Sequence, residues 1–207
     1  MNSYLSSLNQ KSKPEIIQKI LSQAKELNTP IISEEGINLL IQLIQISKAK
    51  SVLEIGSAIG YSAIMMALNS QAVITTIEKD LNTYNIARAN VESAFLSSRV
   101  NVIHGDALEV DLMMKFDLIF IDAAKGQYYK FLEKFKHNLV SQGIVVCDNL
   151  LFHGMVENKD DIESKRLRSL VKKISDFNKI ISTHPDFDTY IYEIGDGMSI
   201  SIKKGDL

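Results

Sequence analysis

Apolar side chains near the start of the chain recur at helical spacing. After Pro14 they occupy positions 16, 17, 20, 21, 24 and 27, a stripe that predicts an amphipathic helix to about residue 28. Asn28-Thr29-Pro30 then breaks this helix. Ser33, followed by two acidic residues, predicts the N-terminus of a second helix with a stripe at 37, 40, 41 and 44. Two helices are therefore predicted before the first strand.

The rest of the chain alternates short apolar runs with helical patterns. Strands are predicted at 51–55, 73–77, 100–104, 116–121 and 143–148, and helices at 60–69, about 80–96 and 126–138. A basic loop and helix are predicted over about 159–182. Two last strands, 188–194 and 198–203, flank Gly195-Asp196-Gly197, which is typical of a tight hairpin turn. We predict an α/β fold: a Rossmann-like, doubly wound, mostly parallel seven-stranded sheet with one antiparallel strand. Helices should cover both faces, two of them as N-terminal additions.

Composition narrows the class of protein without identifying it. A chain of 207 residues with 45% hydrophobic and 23% charged residues is expected to form a single globular domain, 1–207. The one cysteine, Cys147, excludes a disulfide framework and fits a reducing compartment. The first residues contain no apolar signal segment, so a cytoplasmic location is expected. The net charge of −2 gives no overall nucleic-acid signature, although local basic patches remain possible.

The first strand leads into a turn that contains two glycines. Gly56 lets the backbone turn sharply and approach a ligand, and the helix that begins near Ser62 offers free N–H groups. The Gly56-x-x-x-Gly60 spacing differs from the dinucleotide fingerprint, so an ordinary strand-to-helix turn remains an alternative. Glu54 places a charge near the end of an otherwise buried strand. We expect a ligand or a polar partner to lie against it.

Polar residues also close the next two strands, where an open α/β sheet binds its ligands. Glu78 follows the glycine turn by roughly 20 residues and could accept hydrogen bonds from both ribose hydroxyls. Asp106 and Ala107 follow the third strand, where they could pair with an adenine amino group. The simpler interpretation is that Glu78 and Asp106 are helix N-caps and that His104 is a surface or core histidine.

The fourth and fifth strands end in a set of oxygen donors. Asp122 closes the fourth strand, and Asp148 and Asn149 close the fifth. Two carboxylates and a carboxamide suit a hard divalent ion such as Mg²⁺. No cluster of cysteine and histidine favours zinc instead. Lys125 follows Asp122 by three positions and could equally be a solvent-exposed lysine.

Together these motifs resemble the cation-dependent class I O-methyltransferases, a family that includes catechol and caffeoyl-CoA O-methyltransferases. The matching stretches are 54–62, Glu78, 105–107, 122–125 and 148–149. Segments 148–156 and 195–201 further resemble a bacterial branch that methylates 5-hydroxyuridine in the anticodon loop of tRNA. The chain has no tryptophan, so the tryptophan walls of the animal catechol enzyme have no tryptophan counterparts here.

The resemblance implies S-adenosylmethionine as the methyl donor and assigns roles by position. Its cofactor-binding residues would be Ile31, Glu54, Gly56, Ser62, Glu78, Asp106, Ala107 and Asp122. The metal, Mg²⁺ or another hard divalent ion, would rest on Asp122, Asp148 and Asn149, and the catalytic residues would be Lys125 and Asp122. The N-terminal helices would serve a homodimer interface, although core packing explains their stripes equally well.

Basic residues cluster directly after the proposed metal loop. On a helix, Lys165, Arg168 and Lys172 fall on one face, opposite an apolar stripe, and that face could hold tRNA phosphates. A solvated amphipathic helix is the alternative, because the acids at 160, 161 and 163 dilute the charge.

Two other functions remain open at this point. One is methylation of small catechol-like molecules, which could also act as surrogate substrates. The other is a non-catalytic, nucleotide-binding regulatory module, which explains the glycine turn and Glu78. That module gives no reason for Asp122, Lys125 and Asp148 to gather at the strand ends.

Overall fold

A computed structural model describes residues 3–9, 12–158 and 162–205 of the chain. Its seven strands form one sheet in the order β3-β2-β1-β4-β5-β7-β6. β1 to β5 run parallel, and β7 runs antiparallel to both of its neighbours. The predicted fold class is therefore confirmed. The strands are β1 Ser51–Ile55, β2 Val73–Glu78, β3 Val100–His104, β4 Phe116–Ile121, β5 Leu139–Cys147, β6 Phe187–Tyr192 and β7 Met198–Lys203.

Helices lie around this sheet largely where the periodicity predicts them. They are α1 Ser3–Asn9, α2 Glu15–Glu26, α3 Glu34–Ser47, α4 Tyr61–Leu68, α5 Leu81–Ser93, α6 Tyr128–Phe135 and α7 Lys165–Ser182, with 3₁₀ turns at Lys125–Gln127 and Lys136–Asn138. The sequence did not predict α1, because seven residues are too few to show an apolar stripe. Residues 159–161 of the predicted basic loop and helix lie outside the described residues, and α7 begins at Lys165.

Two strands, β5 and β6, differ from their predicted limits by more than one residue. β5 begins at Leu139, four residues before the predicted start, because Leu139 pairs with Phe116 before the register shifts. This early pairing is non-local and therefore leaves no signal in the apolar run that follows. β6 ends at Tyr192 rather than at 194, so the turn to β7 is longer than the three residues predicted.

The apolar core occupies both faces of the sheet. On one face, Val52, Leu118 and Val146 pack in a cluster with the stripes of α2, α3 and α4. On the other, Leu53 and Ile119 pack with α6 and α7. Strands covered on both sides read as continuous apolar runs, which is how these strands are recognised in the sequence. The stripes of α2 and α3 are buried within this chain, so they give no separate indication of a dimer interface.

The strand order reverses between β1 and β4, and this places the site. From β1 the chain first builds β2 and β3 on one side, and it then returns to build β4 and β5 on the other. A crevice opens at the carboxyl ends of the strands where such a reversal occurs.

Within the described part of the chain, no helix is long and apolar enough to cross a membrane.

Candidate active site

A cavity of about 570 Å³ opens at the carboxyl ends of the parallel strands. Its walls come from the entry loop before α3 and from the loops that follow β1 to β5. The predicted residues that line it are Ile31, Gly56, Ser62, Glu78, Asp106, Ala107, Asp122, Lys125, Asp148 and Asn149. Residues spread over almost 120 positions of the sequence thus share one cavity, because parallel strands end at the same edge of the sheet.

Gly56 joins the two halves of this cavity. Its φ is +96°, and a Cβ built on it would lie 2.5 Å from the carbonyl oxygen of Asp122. The amide of Gly56 donates to the carbonyl of Ile77 at 3.0 Å, and the amide of Asp122 donates to that of Ile55 at 3.0 Å. Only glycine allows the loops after β1 and β4 to meet backbone against backbone here.

Glu54 contacts a polar partner, one of the two possibilities expected for it, and is not among the residues that line the cavity. Its side chain is fully buried. Oε2 accepts a hydrogen bond from the Thr76 hydroxyl at 2.5 Å, while Oε1 has no partner in the part of the chain that is described. Burial raises the pKa of Glu54 to about 7, opposed by the hydroxyls of Ser62 and Thr76. Glu54 therefore supports the cavity wall from behind, beside Ser62.

Glu78 closes β2 with both of its carboxylate oxygens held by the backbone. Oε2 accepts from the amide of Ala58, and Oε1 accepts from the amide of Asp80, both at 2.9 Å. The helix cap suggested as an alternative for Glu78 belongs instead to Asp80, which accepts from the amide of Thr83 at 2.8 Å. Each Glu78 oxygen keeps a further lone pair for a ligand hydroxyl.

Asp106 is held in a similar way. Its Oδ2 accepts from the Lys79 ammonium at 2.7 Å, and its Oδ1 accepts from the amide of Leu108 at 2.9 Å. These bonds, led by that of Lys79, lower the pKa of Asp106. His104 is exposed and lies against the Tyr84 ring outside the cavity lining, as the surface interpretation predicted.

The opposite end of the cavity contains the buried acids. Burial raises the pKa of Asp122 to about 8, and the charge of Asp148 adds to this effect. Burial likewise raises the pKa of Asp148 to about 6, although the amide of Asn149 donates to its Oδ1 at 2.6 Å. The ammonium of Lys125 opposes both shifts. Two desolvated carboxyls beside a single lysine form a site that a further cation would stabilise.

The donor set fits a hard divalent ion. Asp122, Asp148 and Asn149 all line the same end of the cavity and offer only oxygen atoms for coordination. Among the described residues, no group of three or more His, Cys, Asp or Glu side chains is arranged to hold a metal. A cation here would therefore depend on the Asn149 carboxamide and on oxygens from a substrate or from water.

Two further residues line this end of the cavity, and the sequence did not identify them as site residues. Asp196 comes from the turn between β6 and β7, and His153 comes from the loop after β5. Oδ1 of Asp196 accepts from the amide of His153 at 2.6 Å. The sequence marked Asp196 only as part of a turn and of a segment that resembles the bacterial branch, because its position in the site depends on β7 pairing with β5 across the sheet.

Comparison with known proteins identifies the class to which this fold and site belong. The family model described as O-methyltransferase matches residues 6–204, so the chain belongs to that family. A caffeoyl-CoA O-methyltransferase of Populus kitakamiensis is 30% identical over 177 residues, which cover 81% of this chain and 75% of that protein. A catechol O-methyltransferase of Niastella koreensis is 29% identical over 175 residues, covering 78% of this chain and 77% of that protein.

Solved structures of O-methyltransferases are also similar to this chain. One from Staphylococcus aureus, provisionally named a caffeoyl-CoA O-methyltransferase, has a TM-score of 0.91 and 36% identity, covering 97% of this chain and 98% of that one. An O-methyltransferase from Bacillus cereus in complex with S-adenosylhomocysteine has a TM-score of 0.84 and 27% identity, covering 98% of this chain and 96% of that one. The chain is thus an S-adenosylmethionine-dependent O-methyltransferase of the caffeoyl-CoA and catechol type. The enzyme prediction is confirmed, and the non-catalytic module is set aside.

Proposed function

We propose that the protein transfers a methyl group to 5-hydroxyuridine in the anticodon loop of tRNA, giving 5-methoxyuridine, and that it requires Mg²⁺. One observation carries the chemistry. Asp122, Asp148, Asn149 and Lys125 converge at one end of a cavity whose other end contains Glu78 and Asp106. The cavity therefore offers separate places for a nucleoside cofactor and for an acceptor oxygen.

The choice of tRNA rests first on the two segments that resemble the bacterial tRNA-modifying branch. Segments 148–156 and 195–201 are far apart in sequence, yet they pack against each other, and Asp148, Asn149, His153 and Asp196 from them line the cavity. The amide of Leu150 donates to the carbonyl of Gly197 at 2.9 Å, and the amide of Leu151 donates to that of Asp196 at 2.8 Å. The resemblance thus falls on two segments that meet beside the acceptor end of the site.

On this proposal the cofactor lies along the first three strands. Glu78 accepts hydrogen bonds from the ribose hydroxyls through its free lone pairs, and Asp106 and Ala107 contact the adenine. Gly56 and Ser62 lie at the methionine end, and Ile31 covers the cofactor from the entry loop. Asp122 stands where the two ends of the cavity meet, so it can contact both the cofactor and the metal.

Asp122, Asp148 and Asn149 would hold the Mg²⁺. Bound there, Mg²⁺ would lower the pKa of the acceptor hydroxyl and orient it. Such a site suits an acceptor with two adjacent oxygens. A catechol has them, and 5-hydroxyuracil has them in its C5 hydroxyl and C4 carbonyl.

The residues of the chain then position the reaction and move its proton. Lys125 stands beside the acceptor hydroxyl and relays its proton to solvent. The resulting oxygen attacks the methyl carbon in line with the sulfur–carbon bond. That bond breaks, its electron pair returns to sulfur, and S-adenosylhomocysteine is released. Holding both reactants in one cavity supplies much of the acceleration.

The basic face of α7 is the proposed contact for tRNA phosphates, and the structure distinguishes its members. The Lys172 ammonium pairs with Asp176 at 2.6 Å, and the Arg168 guanidinium donates to the carbonyl of Ile162 at 2.6 and 3.2 Å. Lys173 lies beside the Lys125–Gln127 turn, since a Cβ built on Gly126 would be 4.0 Å from its Nζ. We therefore add Lys173 to the predicted set of Lys165, Arg168 and Lys172.

Charge reversal tests this surface. Changing Lys165, Arg168 and Lys172 together to Glu, and Lys173→Glu alone, should each reduce methylation of tRNA and spare a small catechol. Lys25→Glu, which changes an exposed lysine in the last turn of α2 on the opposite face of the sheet, is the matched control. Equal activity of all three proteins on tRNA would contradict a role for this face.

The second candidate is methylation of small catechol-like molecules, favoured by the similarity to the Niastella koreensis enzyme. Nucleoside analysis of tRNA from a deletion strain separates the two. The tRNA proposal predicts loss of 5-methoxyuridine-type nucleosides and accumulation of 5-hydroxyuridine. An unchanged profile, in a strain with no redundant enzyme, would leave the small-molecule function.

A further inference from the structure

The turn between β6 and β7 lies against two loops of the active site. Gly197 has φ +85°, and a Cβ built on it would lie 2.7 Å from Cγ of Leu151 and 3.0 Å from its amide nitrogen. On the other side, a Cβ on Gly195 would lie 2.5 Å from Oγ of Ser33, the residue that caps α3. The two glycines therefore let this turn approach the loop after β5 and the entry loop at the same time.

The loop after β5 has an unfavourable backbone conformation. Asn149, Phe152 and His153 have φ values of 61°, 49° and 55°, in the left-handed region that residues other than glycine rarely adopt. Three such residues within five positions persist only when neighbouring groups hold them. Because the loop continues directly from Asp148, whatever holds it also sets the direction of the Asp148 and Asn149 side chains.

Several groups hold the near part of this loop. The Tyr128 hydroxyl donates to the carbonyl of Asp148 at 2.9 Å, and the Asn178 amide donates to that of Leu150 at 2.8 Å. At the far end, the amide of His153 donates to Oδ1 of Asp196 at 2.6 Å. Through this bond, a side chain of the turn between β6 and β7 contacts the strained part of the loop.

We propose that Asp196 is a positioning residue, whose Oδ1 holds loop 149–153 in this conformation and so fixes Asp148 and Asn149 in place. The role of those two donors in binding a cation rests on the proposed function. The other oxygen, Oδ2, is buried with no hydrogen-bond partner among the described residues and lies 3.7 Å from Nδ1 of His153. An unpaired buried oxygen is unfavourable for folding, so stability alone does not account for a carboxylate here.

Two substitutions at this position separate a hydrogen-bond role from a charge role. Asp196→Ala removes the acceptor, whereas Asp196→Asn keeps an oxygen for the His153 amide. Asp188→Ala, which removes an exposed carboxylate from β6 of the same hairpin, is the matched control. For each protein, Mn²⁺ affinity, hydrogen exchange at the His153 and Leu151 amides, and kcat and KM for a catechol are measured.

Asp196→Ala should weaken Mn²⁺ binding and lower kcat by about 10- to 100-fold, the usual effect of removing a residue that orients a metal ligand. Amide exchange at His153 should become faster, while S-adenosylmethionine affinity stays within about twofold of the unmodified protein. Asp196→Asn should restore Mn²⁺ affinity and amide protection to within about threefold. Asp188→Ala should behave as the unmodified protein does.

Two results would overturn the proposal. Normal Mn²⁺ affinity, exchange and kcat in Asp196→Ala would show that the loop needs no support from Asp196. An Asp196→Asn protein as impaired as Asp196→Ala in Mn²⁺ binding and exchange would show that charge, rather than the hydrogen bond, matters. If the unmodified protein binds no Mn²⁺, the proposed metal site fails, and the exchange of the His153 amide still tests the positioning role.

Discussion

The two ends of the cavity use the same kind of side chain in opposite ways. At the cofactor end, the carboxylates of Glu78 and Asp106 each accept two hydrogen bonds from the protein, at 2.7 to 2.9 Å. At the acceptor end, Asp122 and Asp148 are desolvated, and burial raises their pKa values to about 8 and about 6. Hydrogen bonds from the protein hold the first pair of carboxylates, whereas burial makes the ionised form of the second pair unfavourable.

This difference indicates which partner each end awaits. Carboxylates that the folded chain already orients suit a ligand that only donates hydrogen bonds, such as a ribose. Buried carboxyls with raised pKa values are stabilised when a cation replaces their protons. The cofactor end should therefore work without a metal, and the acceptor end should fail without one. The predictions below test that separation, from the largest expected effect to the smallest.

Asp148→Ala should separate the two ends most clearly. We expect methyl transfer to fall by at least about 100-fold, because the substitution removes one of two carboxylates proposed to hold the cation. S-adenosylmethionine affinity should stay within about twofold, since the proposed cofactor contacts lie mostly on the first three strands. Calorimetry and a turnover assay on the same preparation measure both. Near-normal turnover would refute the metal assignment.

Glu78→Ala should produce the reverse pattern. We expect S-adenosylmethionine binding to weaken by about 1–3 kcal/mol, the range for charge-assisted hydrogen bonds lost from a protected site. The divalent-ion dependence of the remaining activity should not change, because Glu78 lies at the other end of the cavity. Titration calorimetry gives the first quantity and a Mg²⁺ titration the second. An unchanged cofactor affinity would show that Glu78 only accepts hydrogen bonds from two backbone amides and does not contact the cofactor.

The raised pKa values predict how pH and divalent ions act together on stability. The unperturbed pKa of an Asp carboxyl is 3.8, so protonation of Asp122 and Asp148 favours the metal-free folded state. That contribution is complete below about pH 4 and is lost as pH rises through about 6 and about 8. The increase in melting temperature on adding Mg²⁺ should therefore be larger at pH 8.5 than at pH 5.5.

Asp122→Asn provides the control for this effect, because it removes the group with the more strongly raised pKa. In this variant the pH dependence of the Mg²⁺-induced shift should be smaller than in the unmodified protein. Thermal denaturation at the two pH values, with Mg²⁺ and with a chelator, gives the comparison. An identical Mg²⁺ shift at both pH values would show that protons and the cation do not compete for these carboxyls.

Lys79→Ala should have the smallest effect. The Lys79 side chain is 73% exposed, and exposed ion pairs contribute little. Asp106 keeps the hydrogen bond from the amide of Leu108, so its carboxylate should remain in place. We expect S-adenosylmethionine affinity to change by less than about threefold. A loss of tenfold or more would mean that Lys79 itself contacts the cofactor.

The sequence predicted the parts of the site that local patterns determine. Glu78, Asp122 and Asp148 each follow a recognisable apolar strand, and the alternation of elements implies a common sheet edge. Arg168 and Lys172 lie on one helix, as the sequence predicts, but each also has a local partner that was not predicted. The pairing of Lys172 with Asp176, four residues later, was available from helical spacing.

Other features depend on long-range packing and left no local signal. The burial of Glu54 behind Ser62 follows from how β1 is covered on both faces, so its lack of contact with the cavity could not be read from its strand. Asp196 reaches the site because β7 pairs antiparallel with β5, a pairing made across some 50 residues of chain. The positive φ at Asn149 and His153 likewise depends on partners that lie outside the loop.

The central claim is that cofactor binding and methyl transfer reside in separate ends of one cavity, and that only the second requires a divalent ion. The most direct test measures both in one sample, with S-adenosylmethionine and a simple catechol as acceptor. With EDTA present, cofactor binding should be unchanged and transfer should be lost, and added Mg²⁺ should restore it. Transfer at an undiminished rate in EDTA would contradict the account.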